Sequence, residues 1–266
     1  MQCMGNPVKI SATIIAYNEE KKIERCLKSL QGVVDEIIVV DSFSIDSTAL
    51  ICARYPVRFI QHRFEGYVNQ KNLALGYATY DHVLSLDADE ELSPELIDSI
   101  LSVKKNWGDV DGYSFNRFNN YCGHWIRHCG WYPDRKIRLW NKQSGRWVGT
   151  DPHDHVQLPL NRVAHLKGDL LHYAYFTVDE HLQQMHRFAE VAARAKYNEG
   201  KRASFLIHVL LNPAFKFFRK YILQLGFLDG YYGFVFCAAA AGLNFYKYLR
   251  LFEYNRRGLP VNNRSG

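Results

Sequence analysis

The sequence predicts an α/β fold in which a mostly parallel sheet is covered by helices on both faces. Over residues 1–110, short apolar runs alternate with segments of helical periodicity, and most of these runs end on a polar or acidic residue. Strands that alternate with helices form parallel sheets. The chain of 266 residues is 47% hydrophobic and 23% charged, an ordinary globular composition that excludes disordered, collagen-like and disulfide-scaffold classes.

The predicted elements follow one another as strand and helix. Residues 9–17 (KISATIIAY) indicate a buried strand, and Asn18 is expected to cap a helix over 19–30 whose apolar residues recur at helical spacing. Ser93 is expected to cap a further helix that starts at Pro94. The other expected elements of this half are strands at 36–40, 57–61 and 82–86 and helices at 47–54 and 68–78.

The second half of the chain has a different pattern. Residues 111–172 predict short aromatic strands and loops, and a capping box at Thr177–Glu180 starts a helix that runs to about Gly200. One stripe of that helix is interpreted as core packing, namely His181, Met185, Ala189 and Ala192. A set of cysteines and histidines lacks the spacing of a zinc site, so an aromatic loop is the favoured interpretation of Cys122, His124, His128 and Cys129.

Cysteine usage and the first residues bear on the cellular compartment. The six cysteines are scattered without a CxxC pair, and residues 1–9 lack the apolar stretch of a signal peptide. We therefore expect reduced thiols and a cytoplasmic location.

Polar or acidic residues follow three of the predicted strands: Asn18 and Glu19, Asp41 and Asp46, and Asp87 and Asp89. Each has a structural interpretation as a cap or a solvated loop acid. Because the carboxyl ends of parallel strands meet at one edge, so many carboxylates would repel one another unless a cation or hydrogen-bond donors lie among them. Asp87-Ala88-Asp89 therefore predicts a site for Mg²⁺ or Mn²⁺ that holds a diphosphate.

Two other enzyme classes could use this motif. A haloacid-dehalogenase-type phosphatase also places Asp-x-Asp after an apolar strand, but near the start of its domain, and no clear partner lysine and second acidic motif follow here. A dinucleotide dehydrogenase needs glycines in its first strand–helix turn. That turn here is Tyr17-Asn18-Glu19-Glu20, which disfavours the dehydrogenase.

Several motifs, in this order, resemble glycosyltransferase family 2: TIIAYNEE (13–20), EIIVVDS (36–42) with DST (46–48), NQKN (69–72) and LDADE (86–90). The later GWYPDRK (130–136), WVG (147–149) and HD (153–154) resemble the branch that contains the lipopolysaccharide core β-1,4-glucosyltransferases. The resemblance implies a GT-A fold, which is a Rossmann-like fold of nucleotide-diphospho-sugar transferases, and a reaction that inverts the anomeric configuration.

The resemblance also implies roles for individual residues. The nucleotide-sugar contacts that it implies are Ala16, Tyr17, Glu19, Asp41, Lys71, Asp87 and Ala88, with Asp41 at the uracil or ribose and Lys71 near the diphosphate. Asp89 would ligate the metal. The expected base is the acidic residue of a late His-Glu motif, and here that position is Asp154, a shorter acid. Asp151 and Asp134 remain alternatives for the base, and His153 or His155 could complete the metal shell.

The predicted activity is transfer of a hexose, with glucose the favoured sugar, from a UDP-sugar to a cell-surface glycan or lipopolysaccharide core acceptor. An inverting displacement needs one carboxylate that takes the proton of the acceptor hydroxyl. The open alternatives are a polyprenyl-phosphate hexosyltransferase, a phosphatase and an inert sugar-nucleotide-binding protein. The expected domains are a glycosyltransferase domain over 1–175, with a nucleotide-binding half (1–110) and an acceptor half (111–175), and a helical extension over 176–266.

The C-terminal part is basic and aromatic. From Lys201 onward there are ten Lys and Arg residues against two acids, and 15 of the 38 aromatic residues lie here. Residues 215–222 (FKFFRKYI) interleave the two types, as an interfacial helix on anionic lipid does, whereas the uncharged stretch 230–246 is short for a membrane crossing.

We therefore expect residues 201–254 to dock on the cytoplasmic face of an anionic membrane without spanning it. The alternative is a helical hairpin packed on the body of the protein. Nucleic acid is not an expected partner, because nothing else in the chain resembles a nucleic-acid-binding module.

Overall fold

The computed structural model describes residues 7–150 and 153–258. The chain divides into two compact units. Unit 1 comprises 1–118 and 133–173, and unit 2 comprises 119–132 and 174–266. The sequence predicts a glycosyltransferase domain that ends at residue 175 and a helical extension after it. This functional division stays a prediction.

Four parallel strands form one half of the main sheet in unit 1. They are β1 (Ile10–Ala16), β2 (Glu36–Asp41), β3 (Arg58–Gln61) and β4 (His82–Asp87), in the order β3-β2-β1-β4. In the register of this sheet Ala16 lies opposite Asp41, and Ile15 lies opposite Asp87. The last residues of β1, β2 and β4 therefore lie side by side at one edge, as the sequence predicted.

Helices cover both faces of this half-sheet. They are α1 (Ile23–Leu30), α2 (Thr48–Cys52), α3 (Tyr67–Tyr77) and α4 (Pro94–Lys105). Successive residues of a strand point to opposite faces: Ile37 and Val39 belong to the core cluster that includes α1, α2 and α4, whereas Ile38 and Val40 belong to the cluster that includes α3. The predicted α/β class is confirmed.

The entry into α1 differs from the prediction. Asn18 adopts a left-handed conformation, with φ 54°, and α1 begins four residues later than expected, at Ile23. The Asn18 side chain accepts a hydrogen bond from the backbone N–H of Ile45 at 2.9 Å instead of capping a helix. Asn18 therefore joins the loops after β1 and β2, because a short amide side chain tolerates this backbone region better than most. By contrast Ser93 does cap α4, accepting from Leu96 N–H at 3.3 Å.

The rest of the sheet is antiparallel. The later strands are β5 (Glu90–Leu92), β6 (Gly112–Tyr121), β7 (His124–Trp125), β8 (Asp134–Asn141), β9 (Arg146–Thr150), β10 (His153–Gln157) and β11 (Val163–Tyr175). The sheet continues from β4 in the order β8-β6-β11-β5, while β7 pairs with β6, and β9 and β10 form a separate hairpin. The parallel arrangement thus holds for the first four strands, and the sheet as a whole is mixed.

Unit 2 is mainly helical. It contains α5 (Val178–Asn198), a π-helical turn (Phe205–Leu211), α6 (Asn212–Phe218), a second π-helical turn (Arg219–Leu223), a short 3₁₀ turn (Gly226–Asp229) and α7 (Gly230–Arg257). The predicted capping box is confirmed, since Thr177 accepts from Glu180 N–H at 3.1 Å. The buried stripe of α5 is His181, Met185, Ala189 and Ala193, one residue from the predicted position at its last member.

One helical stretch of the described residues, Gly226–Arg257, is long and apolar enough to cross a membrane by length and composition alone. Its most apolar window has a mean hydropathy of 1.2, and 39% of that window is buried within the protein.

Candidate functional site

The loops after β1 and β2 are joined by side-chain hydrogen bonds. Asp41, the last residue of β2, is fully buried, and its carboxylate accepts from the backbone N–H of Ser44 at 2.9 Å and from the Ser44 hydroxyl. The Glu19 N–H donates to the Thr48 hydroxyl at 2.8 Å. These bonds fix two adjacent loops at the carboxyl edge of the sheet. Tyr17 in the same place is 57% exposed, which leaves its ring free to stack on a ligand.

Asp46 has a structural role, which is one of the interpretations that the sequence allowed. Its carboxylate accepts from the backbone N–H groups of Thr48 and Glu20, each at 3.0 Å. The first of these bonds lies at the start of α2 and the second closes the loop after β1. Asp46 therefore holds the two loops together.

A buried lysine joins two of the predicted acids. Lys71 projects from α3 and is 4% exposed. Its Nζ lies 2.8 Å from Asp87 Oδ1 and 2.7 Å from Asp154 Oδ2, and 4.3 Å from the centre of the Trp147 ring. Asp87 ends β4 and Asp154 lies on β10, so the fold brings together residues that are far apart in the sequence.

Arg138 on β8 completes this charge network. Its Nη2 lies 2.8 Å from Asp87 Oδ2 and 2.9 Å from Glu90 Oε1. Burial raises the pKa of Asp87, but Lys71 and Arg138 outweigh this effect and hold the pKa well below its usual range. Asp87 is therefore ionised at neutral pH. Arg138 Nε and Trp147 Nε1 are both buried without a hydrogen-bond acceptor in the described part of the chain.

Asp89 lies in a separate cluster beside this network. Its Oδ2 is 3.4 Å from His172 Nε2 on β11 and 3.6 Å from Lys22 Nζ. Burial raises the pKa of Asp89, and the interactions with His172 and Lys22 outweigh it, so that the pKa is lowered. Glu19 lies 3.6 Å from the same lysine, and burial raises its pKa to about 7, despite the opposing effect of Lys22. Ala88 between the two acids is 4% exposed.

The residues around Asp89 fit a divalent metal in part. Within the described ranges no group of three or more His, Cys, Asp or Glu side chains could hold a metal. An ionised Asp89 and the His172 imidazole nevertheless supply one oxygen and one nitrogen donor. Mg²⁺ in nucleotide sites is held by one or two carboxylates together with substrate phosphates and water, and such a site needs no dedicated set of four protein ligands.

The three candidate bases have different surroundings. Asp154 is held by Lys71, as described above. Asp134 accepts two hydrogen bonds from Arg117, at 2.8 and 3.0 Å, and lies 3.0 Å from Lys136 Nζ. Asp151 and the side chain of His153 lie outside the described residues, while His155 is exposed. The Asp154 carboxylate is thus the candidate that the fold places next to Asp87.

The cysteines and histidines of segment 119–132 have separate partners in unit 2. His128 Nδ1 lies 3.1 Å from Asp229, His124 stacks on Tyr232 with ring centres 5.2 Å apart, and Cys129 Sγ lies 3.4 Å from Cys237 Sγ. These contacts are internal packing of an aromatic segment, as the sequence favoured.

Sequence reasoning missed His172 and Glu90. Both lie on antiparallel strands that pair with each other, His172 opposite Glu90, and that register is not readable from the sequence. The available signal was weak: a histidine near the end of a long strand and an acid directly after Asp87-Ala88-Asp89.

Comparisons with known proteins identify the family of the chain. Residues 11–157 match the family described as Glycosyl transferase family 2. An uncharacterised glycosyltransferase of Rickettsia bellii is 30% identical over 265 residues, which cover 96% of this chain and 88% of that protein. The lipopolysaccharide core biosynthesis glycosyltransferase LpsC of Rhizobium meliloti is 28% identical over 238 residues, 85% of each chain.

Among solved structures, glucosyl-3-phosphoglycerate synthase from Mycobacterium tuberculosis, in complex with Mn²⁺, UDP and glucosyl-3-phosphoglycerate, is similar with a TM-score of 0.46 and 18% identity. The match covers 65% of this chain and 74% of that one.

The family match covers more than half of the chain, and it includes the strand-end loops, Lys71, the Asp87–Asp89 motif and Asp154. The mixed sheet, with its acids at the carboxyl ends of β1, β2 and β4, agrees with the GT-A fold that the resemblance implied. The chain belongs to glycosyltransferase family 2.

Proposed function

We propose that this protein transfers a hexose from a UDP-sugar to a cell-surface glycan, with inversion at the anomeric carbon. One observation carries the proposal: Lys71 holds Asp87 and Asp154 within 2.8 Å of one buried ammonium group, at the edge of the sheet where Asp41 and Asp89 also lie. In this proposal the arrangement would combine a nucleotide-diphosphate site and a carboxylate base in one place.

The donor side of the site consists of the strand-end loops. Ala16, Tyr17, Glu19 and Asp41 would contact the nucleoside, with the exposed Tyr17 ring available for stacking and Asp41 for a hydrogen bond to the uracil or ribose. Lys71 would move toward the diphosphate, whose charge competes with the carboxylates for the ammonium group. The buried N–H groups of Arg138 and Trp147, which have no acceptor in the described part of the chain, support a ligand that brings oxygen atoms into this region.

The metal in this proposal is Mg²⁺ or Mn²⁺, held by Asp89 with His172 beside it. When bound, it neutralises the charge that develops on the leaving diphosphate. Lys22, which lies 3.6 Å from both Asp89 and Glu19, would balance the remaining charge of these two carboxylates.

The acceptor side depends on Asp154. An inverting transfer is a single displacement, in which a base takes the proton of the acceptor hydroxyl while that oxygen attacks the anomeric carbon from the face opposite the leaving group. Asp154 would accept this proton at Oδ2, the atom that now contacts Lys71. Displacement of Lys71 toward the donor diphosphate would free Oδ2, so donor binding and base activation are coupled through one lysine.

The likeness to LpsC supports a sugar of the lipopolysaccharide core as the acceptor, and glucose is the donor sugar that we propose. Another surface glycan or a polyprenyl phosphate has the same requirement for one nucleophilic oxygen. We place the reaction at the cytoplasmic face of the membrane, where an enzyme bound to the surface would meet a lipid-linked acceptor.

A titration with UDP tests the proposal. We expect UDP binding that strengthens with Mn²⁺ or Mg²⁺, followed by slow hydrolysis of one UDP-hexose in a donor screen and by loss of one sugar from the surface glycans of a deletion strain. Absence of UDP binding with and without metal would exclude the transferase. Binding with no turnover of any donor or acceptor would support an inert sugar-nucleotide-binding protein, and release of phosphate from phosphomonoesters would support a phosphatase.

A further inference from the structure

Unit 2 has a long segment without acidic residues. Between Glu199 and Asp229 there are five Lys and Arg residues and no Asp or Glu. Asp229 itself is buried and accepts hydrogen bonds from the backbone N–H groups of Arg127 and His128. The segment therefore carries a net positive charge, although Lys201 at its start pairs with Glu199 at 3.1 Å.

The same part of unit 2 exposes many large apolar side chains. Of the 26 exposed large hydrophobic residues in the described ranges, 14 lie between Phe205 and Phe234. A soluble surface rarely exposes apolar side chains at this density unless they have a partner. The most exposed are Leu206, Leu211, Phe215, Leu223, Leu228 and Tyr231. We call residues 205–234 the apolar segment.

Two cations of the apolar segment and one on α7 have no carboxylate partner in the described ranges. In the described ranges Lys216, Arg219 and Lys247 form no ion pair, whereas Arg250 on the same helix as Lys247 contacts both Glu190 and Glu253 at 3.0 Å. Burial, together with repulsion from Lys216 and Lys196, lowers the pKa of Lys247 to about 8. Burial and Arg219 lower the pKa of Lys216 in the same way. Cations that repel one another in a partly apolar setting are stabilised by an external anion.

The position of α5 excludes α7 as a lone membrane-spanning helix. Helices α5 and α7 lie side by side and run parallel. Their contacts advance in the same direction along both helices: His181 with Phe236, His186 with Tyr246, Glu190 with Arg250 and Tyr197 with Tyr254. Helix α5 carries charged side chains along its length, including Arg187, Glu190 and Arg194. A crossing by α7 would carry these charges into hydrocarbon, where each is expensive.

From these observations we propose that the apolar segment lies flat on an anionic lipid bilayer, with Lys216, Arg219 and Lys247 against the phosphate oxygens of the headgroups. The helical backbone from Phe205 to Leu223 satisfies its own hydrogen bonds, as contact with the acyl region requires. Exposed leucine and phenylalanine side chains enter the boundary between headgroups and acyl chains. This inference rests on the membrane location in the proposed function, and it adds which residues form the membrane-binding surface.

Charge separates this partner from a second copy of the chain. A symmetric dimer through the apolar segment would place Lys216 and Arg219 of one copy near the same residues of the other, and like charges in a partly buried interface repel. Anionic lipid has the opposite charge. A dimer that forms through this surface in solution and does not bind vesicles would overturn the proposal.

The test uses the full chain and sedimentation with two kinds of vesicle, pure phosphatidylcholine and a mixture of phosphatidylcholine with phosphatidylglycerol, whose negative surface potential attracts Lys and Arg. We expect binding to the anionic vesicles that weakens in high salt. Lys216→Gln, Arg219→Gln and Lys247→Gln together should weaken it by about 100-fold. Lys220 is left unchanged because its Nζ donates to the carbonyl of Cys129 at 2.7 Å.

Matched controls separate the surface from general charge and hydrophobicity. The triple variant Lys105→Gln, Arg135→Gln and Lys167→Gln removes the same charge from exposed positions of unit 1 and should bind like the unmodified protein. Leu211→Ser, Phe215→Ser and Leu223→Ser should abolish binding to anionic vesicles, whereas Leu50→Ser with Leu160→Ser, at other exposed positions, should not. Circular dichroism verifies that each variant is folded.

Three results would overturn the proposal: no binding of the unmodified protein to either vesicle, equal weakening by both charge triples, or equal binding to both vesicles. UDP titration of the same variants keeps the two proposals apart. If the protein binds UDP normally and does not bind vesicles, only the membrane-surface proposal is wrong. If vesicles bind as expected and UDP does not, the transferase fails and the surface stands.

Discussion

In unit 1 each of the two buried cations, Lys71 and Arg138, contacts two carboxylates within 2.9 Å. In unit 2, Lys216 and Lys247 are half-buried and form no ion pair in the described ranges. A buried charge is costly unless it is paired. The charges of the first arrangement have partners within the protein, whereas those of the second have none in the described ranges. Under the two proposals, unit 1 would exchange one set of anions for another when the donor binds. In the described part of unit 2, Lys216 and Lys247 would gain an anion that the protein does not supply.

The exchange in unit 1 has a chemical consequence. A lysine shared between Asp87 and Asp154 leaves neither carboxylate fully free, and a donor diphosphate that draws it away changes both at once. Site residues that pair with one another before the ligand arrives are thereby kept ionised and in place. Variants that remove one member of the network should therefore have larger effects than variants of unpaired residues.

The largest effect is expected from Asp154→Asn. The amide cannot take a proton from the acceptor, so the transfer rate should fall by about 10² to 10⁴-fold. UDP affinity should be kept, because the variant removes a competitor for Lys71. Single-turnover transfer and UDP titration measure the two effects. Asp134→Asn is the matched control, since that carboxylate is already held by Arg117; if it or Asp151→Asn abolishes transfer and Asp154→Asn does not, the base is misassigned.

Arg138→Met tests how much a buried, paired charge contributes to the free energy of unfolding. It leaves Glu90, whose side chain is fully buried, without the partner at 2.9 Å and leaves Asp87 with Lys71 alone. Removing one partner of a buried pair destabilises a protein by about 3–5 kcal/mol, and urea unfolding measures the loss. Arg162→Met is the control, because Arg162 pairs with the 95% exposed Asp109 at the surface and solvent replaces that contact. Equal losses in both variants would contradict the distinction.

The parts of unit 1 that local signals determine were predictable from the sequence. The strands that end at Ala16, Asp41 and Asp87 stop within one residue of the predicted ends. Apolar runs define these strands, and parallel topology places their carboxyl ends at one edge. His172 and Glu90 were not predictable, since antiparallel register between distant strands sets their position. Asn18 was predicted as a helix cap from its residue type, whereas the hydrogen bond to Ile45 of another loop fixed its backbone in a non-helical region.

In unit 2 the sequence revealed the residue composition but not which residues pair with one another. The basic and aromatic content of 201–254 was visible at once, and so was the cap at Thr177. Which cations are paired was not visible: Arg250 and Lys247 are three residues apart on α7, yet only Arg250 reaches Glu190 on α5. That difference depends on how α5 and α7 pack, which no local pattern encodes.

A smaller effect in unit 1 is expected from Asp89→Asn. Loss of even an outer partner of a metal ligand costs about 10- to 100-fold in metal affinity, so loss of the ligand itself should cost at least that in UDP affinity measured with Mn²⁺. UDP affinity without metal should change little, because Lys71 and Asp87 remain. Asp109→Asn, at a fully solvated position, is the control. Equal loss of affinity with and without Mn²⁺ would assign Asp89 to the nucleotide and not to the metal.

The smallest effect concerns one lysine of unit 2. Because burial lowers the pKa of Lys247 to about 8, the folded protein releases this proton at lower pH than the unfolded chain does. The free energy of unfolding therefore carries a penalty below pH 8 that is relieved as the pH rises toward the ordinary lysine value. An anionic bilayer favours the charged form, so binding to phosphatidylglycerol vesicles should weaken as the pH rises through about 8, by about fivefold for one cation.

Lys247→Arg and Lys247→Gln isolate this effect from the groups that face Lys247, which are Lys196 on α5, Lys216 on α6 and the neighbouring Tyr248. The arginine variant keeps its charge at all these pH values and should bind equally at pH 7 and pH 9, while the glutamine variant should bind weakly and equally at both. Vesicle sedimentation between pH 7 and 9 measures the dependence. If all three proteins show the same pH dependence, Lys247 does not face the headgroups, and the apolar segment must meet the bilayer through Lys216 and Arg219 alone.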